Sequence, residues 1–333
     1  MAVNKVALNG EVKLDLTADT VTPETLLKGA TAHNASGELI TGTMIASQLQ
    51  LIVTVSAGAT VAATNGSKTI SGTSDSTGVC TLIVPEVGTW SVSATLGGQT
   101  SDTKNVSVVD SYAVALNFSK DNFADNDWSV IIAVCHSGSV PSTWVVGNSK
   151  TMTINGTSYR VDIIGKNHDT YTAGGTAPLT FQLHDCYSEK KTMNSIRTNS
   201  GGWTSCDMRS THLPAILALM PTEVKNGIRE VNKLTSAGSQ SSTINTTADK
   251  LFLLSEVEVF GSTTHSVKGE GKQYDYYKAG NSKVKKQNGS EFGWYERSPS
   301  TSNTISFCSV NGYGNAHTYY ADVNTGVAFG FCF

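Results

Sequence analysis

Between residues 48 and 118 the apolar residues fall on every second position. Leu49, Leu51, Val53 and Val55 alternate with mostly polar neighbours, and a period of two belongs to a strand with one face in a core. Turn signals at Asn65-Gly66 and Ser76-Thr77-Gly78 precede three further strand-like runs, Cys80–Val84, Thr89–Ala94 and Thr103–Val108. Short, evenly spaced strands over about 70 residues predict a small β-sandwich. Trp90 alternates with Val92 and belongs to its core. Nothing in the module carries chemistry, so it reads as a spacer.

The flanks have a different character. In residues 1–47, Thr22-Pro23-Glu24 predicts the cap and first turn of a brief helix ended by Gly29, and Ala35-Ser36-Gly37 predicts a turn between two short strands. So short a segment cannot build a core. Its Leu39, Ile40 and Met44 favour an arm that docks on a neighbour over a flexible leader. Residues 119–333 mix periods. Asp127 predicts an N-cap for a helix with Trp128, Ile131, Ile132 and Cys135 on one face and Gly138 as its stop. A hairpin follows, Thr151–Ile154 and Tyr159–Ile164 around Asn155-Gly156, and then a strand over Leu179–Asp185. A helical stretch from Leu213 to Lys233, interrupted at Pro221, leads to an apolar strand over Lys250–Val259 and a glycine-rich run of short strands. The sum is a multidomain chain: docking arm (1–47), all-β sandwich (48–118) and α+β unit (119–333).

Composition narrows the partners. A formal charge of −3 with 15% charged residues offers no basic field for a phosphate backbone, so nucleic acid is not expected. No run approaches the roughly 20 apolar residues of a bilayer helix, and the start, Met1-Ala2-Val3-Asn4-Lys5, lacks the pattern of a secretory signal. The expectation is synthesis in a cytoplasm, with any later release by lysis or within a larger particle. Cys80, Cys135, Cys186, Cys206, Cys308 and Cys332 have no metal-site spacing, so no metal or cofactor is expected. Buried thiols are the first reading and a Cys308–Cys332 bridge is the alternative. No nucleophile elbow, P-loop, dinucleotide fingerprint or zinc-protease motif occurs.

Several segments resemble known families. The run Val21-Thr-Pro-Glu-Thr-Leu-Leu-Lys-Gly-Ala-Thr-Ala-His-Asn34, with Gly37-Glu-Leu-Ile-Thr-Gly-Thr-Met44, resembles a segment of tail and baseplate proteins of phages that infect Firmicutes. The pattern Thr-Gly78, Cys80, Leu82, Val84-Pro85, Gly88, Trp90, Val92, Ala94 resembles immunoglobulin-like modules of surface proteins. Tyr159-Arg-Val-Asp-Ile-Ile-Gly-Lys-Asn-His168-Asp169, Gly201-Gly-Trp203, Lys250–Glu258 and Gly326-Val-Ala-Phe329-Gly-Phe331 resemble a domain family of unknown function at the C-termini of such tail proteins. The closing pattern Trp294, Arg297-Ser-Pro299, Phe307, Val327 and Phe329 is similar to the C-type-lectin-like fold of the formylglycine-generating-enzyme group and of phage receptor-binding proteins varied by retroelements. These resemblances imply an Ig-like sandwich, a C-type-lectin-like domain that binds through loops near the chain end, and a place in a virion tail. The oxidase branch fits poorly because Cys308 and Cys332 are too far apart, and the Glu-Pro-Asn or Gln-Pro-Asp triplet of calcium-dependent sugar binding is absent.

The binding candidates are Asn303, Asn311, Tyr313, Asn315, His317, Tyr319, Tyr320, Asp322 and Asn324, set among glycines. Tyrosine brings rigid amphipathic area and asparagine both a donor and an acceptor, as adaptable binding loops do. The competing reading makes the asparagines turn formers and the tyrosines the rim of the core. Trp294, Arg297, Phe307, Val310, Val327, Phe329 and Phe331 read as scaffold, with Arg297 a buried hydrogen-bond hub. Asn167-His168-Asp169 reads as a turn or core element. Glu256 and Glu258 have the spacing of paired glycosidase carboxylates but read as a solvated strand face, and Lys283-Val284-Lys285-Lys286 as a solvated cluster. The expected function is a non-enzymatic tail adhesin, a trimer bound to other tail or baseplate subunits, that recognises a bacterial surface glycan or protein. The alternatives are a purely structural virion protein and, behind it, a surface-polysaccharide hydrolase.

Overall fold

The computed structural model describes residues 2–44, 49–109 and 111–333. The boundary expected between residues 47 and 48 lies outside the described residues. Strand dominates, at 39% against 14% helix, and it is divided among sheets of two to five strands. The chain is thus β-rich, with many small sheets in place of one large one.

In residues 2–44, Lys5–Leu8 pairs with Glu11–Asp15 and Thr31–His33 with Leu39–Thr41, both antiparallel. The second pair turns through Ala35-Ser36-Gly37 as expected, with Gly37 at φ +78°. The helix expected after Thr22 is absent. Pro23–Thr25 is a single turn closed by the Thr25 amide on the Thr22 carbonyl (3.1 Å), after which Leu27 bridges Met44. One turn fixes several torsions for one hydrogen bond, and no apolar face rewards its extension. Val6, Leu8, Val12, Leu14, Leu27 and Leu39 are all exposed.

The next unit has two sheets over one core. Gln99–Thr100, Gly88–Leu96, Thr60–Asn65 and Lys68–Thr73 lie in that order, with Lys104–Val108 also on Gly88–Leu96; the other sheet is Tyr112–Ala115, Gln50–Thr54 and Val79–Ile83. Period-two burial follows the sequence pattern: Leu51, Val53, Val61, Ala63, Leu82, Trp90, Val92 and Val106 share the interior. Tyr112–Ala115, which runs parallel to Gln50–Thr54, was not expected from sequence. Its Tyr112 is exposed and its Ala113 and Ala115 are small, so no alternation announces it.

In residues 119–333, the helix Trp128–Ser137 ends at Gly138 (φ +72°), where a side chain would be strained. Asp127 occupies the N-cap position, but its side chain makes no cap bond. A four-stranded sheet runs Ser149–Ile154, Thr157–Lys166, Leu179–Leu183 and Gly330–Cys332, so the chain's last strand closes on its middle. Phe181 anchors this closure, stacked on Phe331 at 5.3 Å and on Phe123 at 6.1 Å.

Three expectations fail here. The helical stretch breaks at Pro221 as expected, into Leu213–Leu219 and Thr222–Gly227, but it stops at Gly227 short of Lys233, and Val231–Ser236 is a strand paired with Ile244–Asp249. Pro221 ends the first helix, and the β-branched and polar residues after Gly227 favour a strand. Lys250–Val259 is not one strand. Leu251–Leu254 is a buried extended segment, and Glu256–Phe260 is a helix started by a Ser255/Glu258 capping box and stopped by Gly261. Lys285 is buried rather than solvated, donating to the carbonyls of Leu183 (2.6 Å) and His184 (2.8 Å). All six cysteines are free and buried.

Trp90 is fully buried and central to the sandwich core. Trp90→Ala is expected to destabilise that unit by about 3–5 kcal/mol, read as an earlier transition in chemical denaturation.

Candidate functional site

The expected binding segment forms a hairpin. Ser306–Val310 pairs with Ala316–Tyr320, with Phe307 opposite Tyr319 and Ser309 opposite His317. The inner strand is wholly buried and the outer one only partly, so the outer strand presents its side chains along the rim. Asn311 shapes the connecting turn: its Oδ1 accepts from the amides of Tyr313 (2.9 Å) and Asn315 (3.0 Å). This projects Tyr313 outward, 84% exposed.

Beside the turn lies an open cleft of about 400 Å³, lined by Glu291, Phe292, Tyr313, Tyr319 and Asn324. Tyr319 is fixed from behind. It meets Tyr295 edge-to-face at 6.2 Å, and a Cβ on Gly293 would come within 2.5 Å of its hydroxyl. His317 tilts against Tyr319 at 4.9 Å. The cleft therefore has a packed aromatic wall in Tyr319, an exposed aromatic at its lip in Tyr313, and a carboxylate and an amide, Glu291 and Asn324, among its lining.

The other candidates separate from this cleft. Arg197 binds Asp322 through Nε (3.0 and 3.1 Å) and lies 4.3 Å from the Tyr320 ring centroid, so both residues belong to a neighbouring charged patch. Asn303 is a turn former: its Oδ1 accepts from the Ile305 amide (2.9 Å), and its carbonyl accepts from Asn199 Nδ2 (2.9 Å). Asn315 is exposed at the turn. Sequence reasoning missed Glu291 and Phe292, together with Lys190, whose Nζ sits 4.0 Å from the Phe292 ring centroid. They precede the hairpin, and only the fold brings them to it.

Beneath the surface lies a chain of buried charges. Arg297 forks onto Glu258 (2.5 and 2.9 Å), Glu258 accepts from Lys233 (2.8 Å), and Lys233 donates to Asp169 (2.8 Å). The Tyr274 hydroxyl also donates to Asp169 (2.8 Å), while the His168 ring stacks on Tyr274 at 3.8 Å. Arg297 further donates to the carbonyls of Leu253 (2.9 Å) and Glu270 (2.9 Å). Glu256 and Glu258 therefore do not lie on a solvated strand. Glu256 accepts from the amides of Thr264, His265 and Ser266 at 2.8–3.0 Å. The expectation failed because a capping box turns Glu258 inward, where two cations meet it.

Burial alone would raise the Asp169 and Glu258 carboxyls, but Lys233 beside the first and Arg297 and Lys233 beside the second outweigh it. Asp169 is held down to about 2. Glu270 and Glu296 fall the other way. Burial pushes Glu270 up to about 7. Burial, then the nearby Glu256 and Glu270 charges, pushes Glu296 well above the carboxylate range, and neither of its oxygens has a hydrogen-bond partner among the described residues.

A carboxyl that keeps its proton in the folded state while the unfolded chain releases it makes stability fall as pH rises. For Glu270 that window runs from 4.5 to about 7, and for Glu296 it extends further. Glu296→Gln should therefore shrink the loss of Tm between pH 5 and pH 8 relative to the parent chain, read by thermal unfolding across that range. An unchanged pH slope would place the Glu296 proton elsewhere.

Residues 179–332 are similar to a protein family described as a domain of unknown function (DUF6273). That span begins at the Leu179–Leu183 strand and includes the hairpin, Lys233, Glu258 and Arg297, but not Asp169. No curated protein matches the chain.

Proposed function

We propose that the chain is an adhesin of a phage tail or tail-like particle that binds a glycan on the bacterial surface through the hairpin cleft. The observation that carries this reading is the cleft itself. Tyr313, Tyr319 and Phe292, the last with Lys190 over one face of its ring, bring aromatic side chains to the opening, and Asn324 and Glu291 bring polar ones. Sugar rings present apolar C–H faces edged by hydroxyls, and such a mixture of flat aromatic surface with a few polar partners suits them. In this reading residues 119–333 are a C-type-lectin-like domain and the two-sheet unit is an Ig-like spacer.

The N-terminal arm supports a particle-bound setting. It leaves Val6, Leu8, Val12, Leu14, Leu27 and Leu39 in water, and apolar surface of that kind gains most from a neighbouring subunit. Other tail or baseplate subunits are the proposed neighbours, and a homotrimer would give weak sites useful avidity. The proposed location is the virion tail, reaching the outside on host lysis.

Tyr313 is so exposed that Tyr313→Ala should change stability by no more than about 0.5 kcal/mol. On an array of cell-wall glycans from Firmicutes, the parent chain should bind a subset saturably. Tyr313→Ala and Asn324→Ala should each weaken that binding at least tenfold. Undiminished binding by both variants would remove the cleft from the account. No binding to any glycan, combined with failed particle assembly by the variants, would favour the purely structural role. Release of reducing sugar from the array would favour the hydrolase.

A further inference from the structure

A second opening lies elsewhere in residues 119–333. Two hollows of about 500 and 260 Å³ adjoin, sharing Glu230 and Lys250 at their common rim. The larger is floored by Tyr171 and Ile228, both buried, and walled by the exposed Thr172-Ala173-Gly174 turn. The smaller continues over Leu213 and Leu217 to Arg209 and Asp249.

The charges at this rim are unequal in what they already hold. Of the five arginines, Arg160, Arg197, Arg209 and Arg297 each pair with a carboxylate. Arg229 has no ion pair among the described residues, and its guanidinium sits 5.4 Å from the Tyr171 ring centroid at the mouth of the larger hollow. Lys250 likewise has no hydrogen bond or ion pair from its side chain among the described residues, and it lines both hollows. Asp249 cannot serve either cation, because Arg209 (2.6 Å), Trp203 (2.9 Å) and Thr247 (2.6 Å) already occupy its carboxylate. The carboxylate left at the rim is Glu230, on the shared edge.

The geometry points to a binding site for an acidic sugar in the larger hollow, distinct from the hairpin cleft and independent of the adhesin reading. The acid group, carboxylate or phosphate, would be held by Arg229 and Lys250, a planar fork and a point charge that line the same hollow. A hydroxyl of the same ligand would donate to Glu230, and the ring would rest on Tyr171 and Ile228. Glu230 disfavours a second acid group beside it and favours a ligand that carries one acid group and hydroxyl donors.

The test is a 15N chemical-shift titration of the full chain with glucuronate, glucose 6-phosphate and glucose. At least one of the two acids should bind saturably, and which one does so separates a carboxylate from a phosphate source. Glucose should bind at least tenfold more weakly. Arg229→Gln should lose at least tenfold in affinity and Lys250→Gln several-fold, with unchanged thermal unfolding because both side chains are exposed. Tyr313→Ala should bind like the parent, which separates this site from the hairpin cleft. The proposal is overturned if neither acid saturates, if glucose binds equally well, if Arg229→Gln retains the parent affinity, or if Tyr313→Ala abolishes binding.

Discussion

The fork of Arg297 onto Glu258, extended through Lys233 to Asp169, is the interaction on which residues 119–333 depend. Its members come from four separate parts of the chain: the turn after Thr157–Lys166, the strand Val231–Ser236, the helix Glu256–Phe260 and the strand Trp294–Pro299. None of these pieces is long enough to be stable alone. Each buried charge is tolerable only when its partner is in place, so the network forms as a whole or not at all. In this arrangement the four segments meet so that each of these charges has an opposite partner.

That frame places the proposed recognition surfaces at the periphery. Its interior is filled by aromatic closure around Phe181 and by the paired charges of Arg297, Glu258, Lys233 and Asp169. The openings lie where short elements meet solvent: the Asn311–Asn315 turn with its aromatic cleft, and the rim formed by Arg229, Glu230 and Lys250. Both are built from exposed side chains on a rigid backing, an arrangement that lets surface residues change at little cost to the fold. The exposed apolar residues of the arm follow the same logic in reverse, because they have no backing of their own.

Legibility of the sequence tracked how local the determining physics was. The sandwich strands, the Asn155-Gly156 hairpin and the Gly138 helix stop could be read directly, since alternation and turn chemistry act within a few residues. The stretch Lys250–Val259 could not, because its apolar run suits a strand until Ser255 and Glu258 are recognised as a capping box. The burial of Lys233 went unread, and Lys285 was misplaced, for a different reason. A lysine is normally solvated, and only distant partners, two carboxylates for the first and two carbonyls for the second, make burial tolerable. Of the candidate site, the tyrosines and the turn-forming Asn311 were visible from composition. Glu291, Phe292 and the Arg197–Asp322 pair were not, because strand pairing and long-range contact bring them together.

Hydrogen exchange read by mass spectrometry, on the full chain with and without a neutral glycan of the proposed ligand class, bears most directly on the central proposal that a charged frame carries a binding hairpin. The account predicts that 231–236, 255–260 and 294–299 exchange slowest in the free chain, and that added glycan slows exchange in 290–293 and 311–325 while leaving the frame unchanged. Protection appearing outside those two segments, or frame segments that exchange as fast as the hairpin turn, would contradict it.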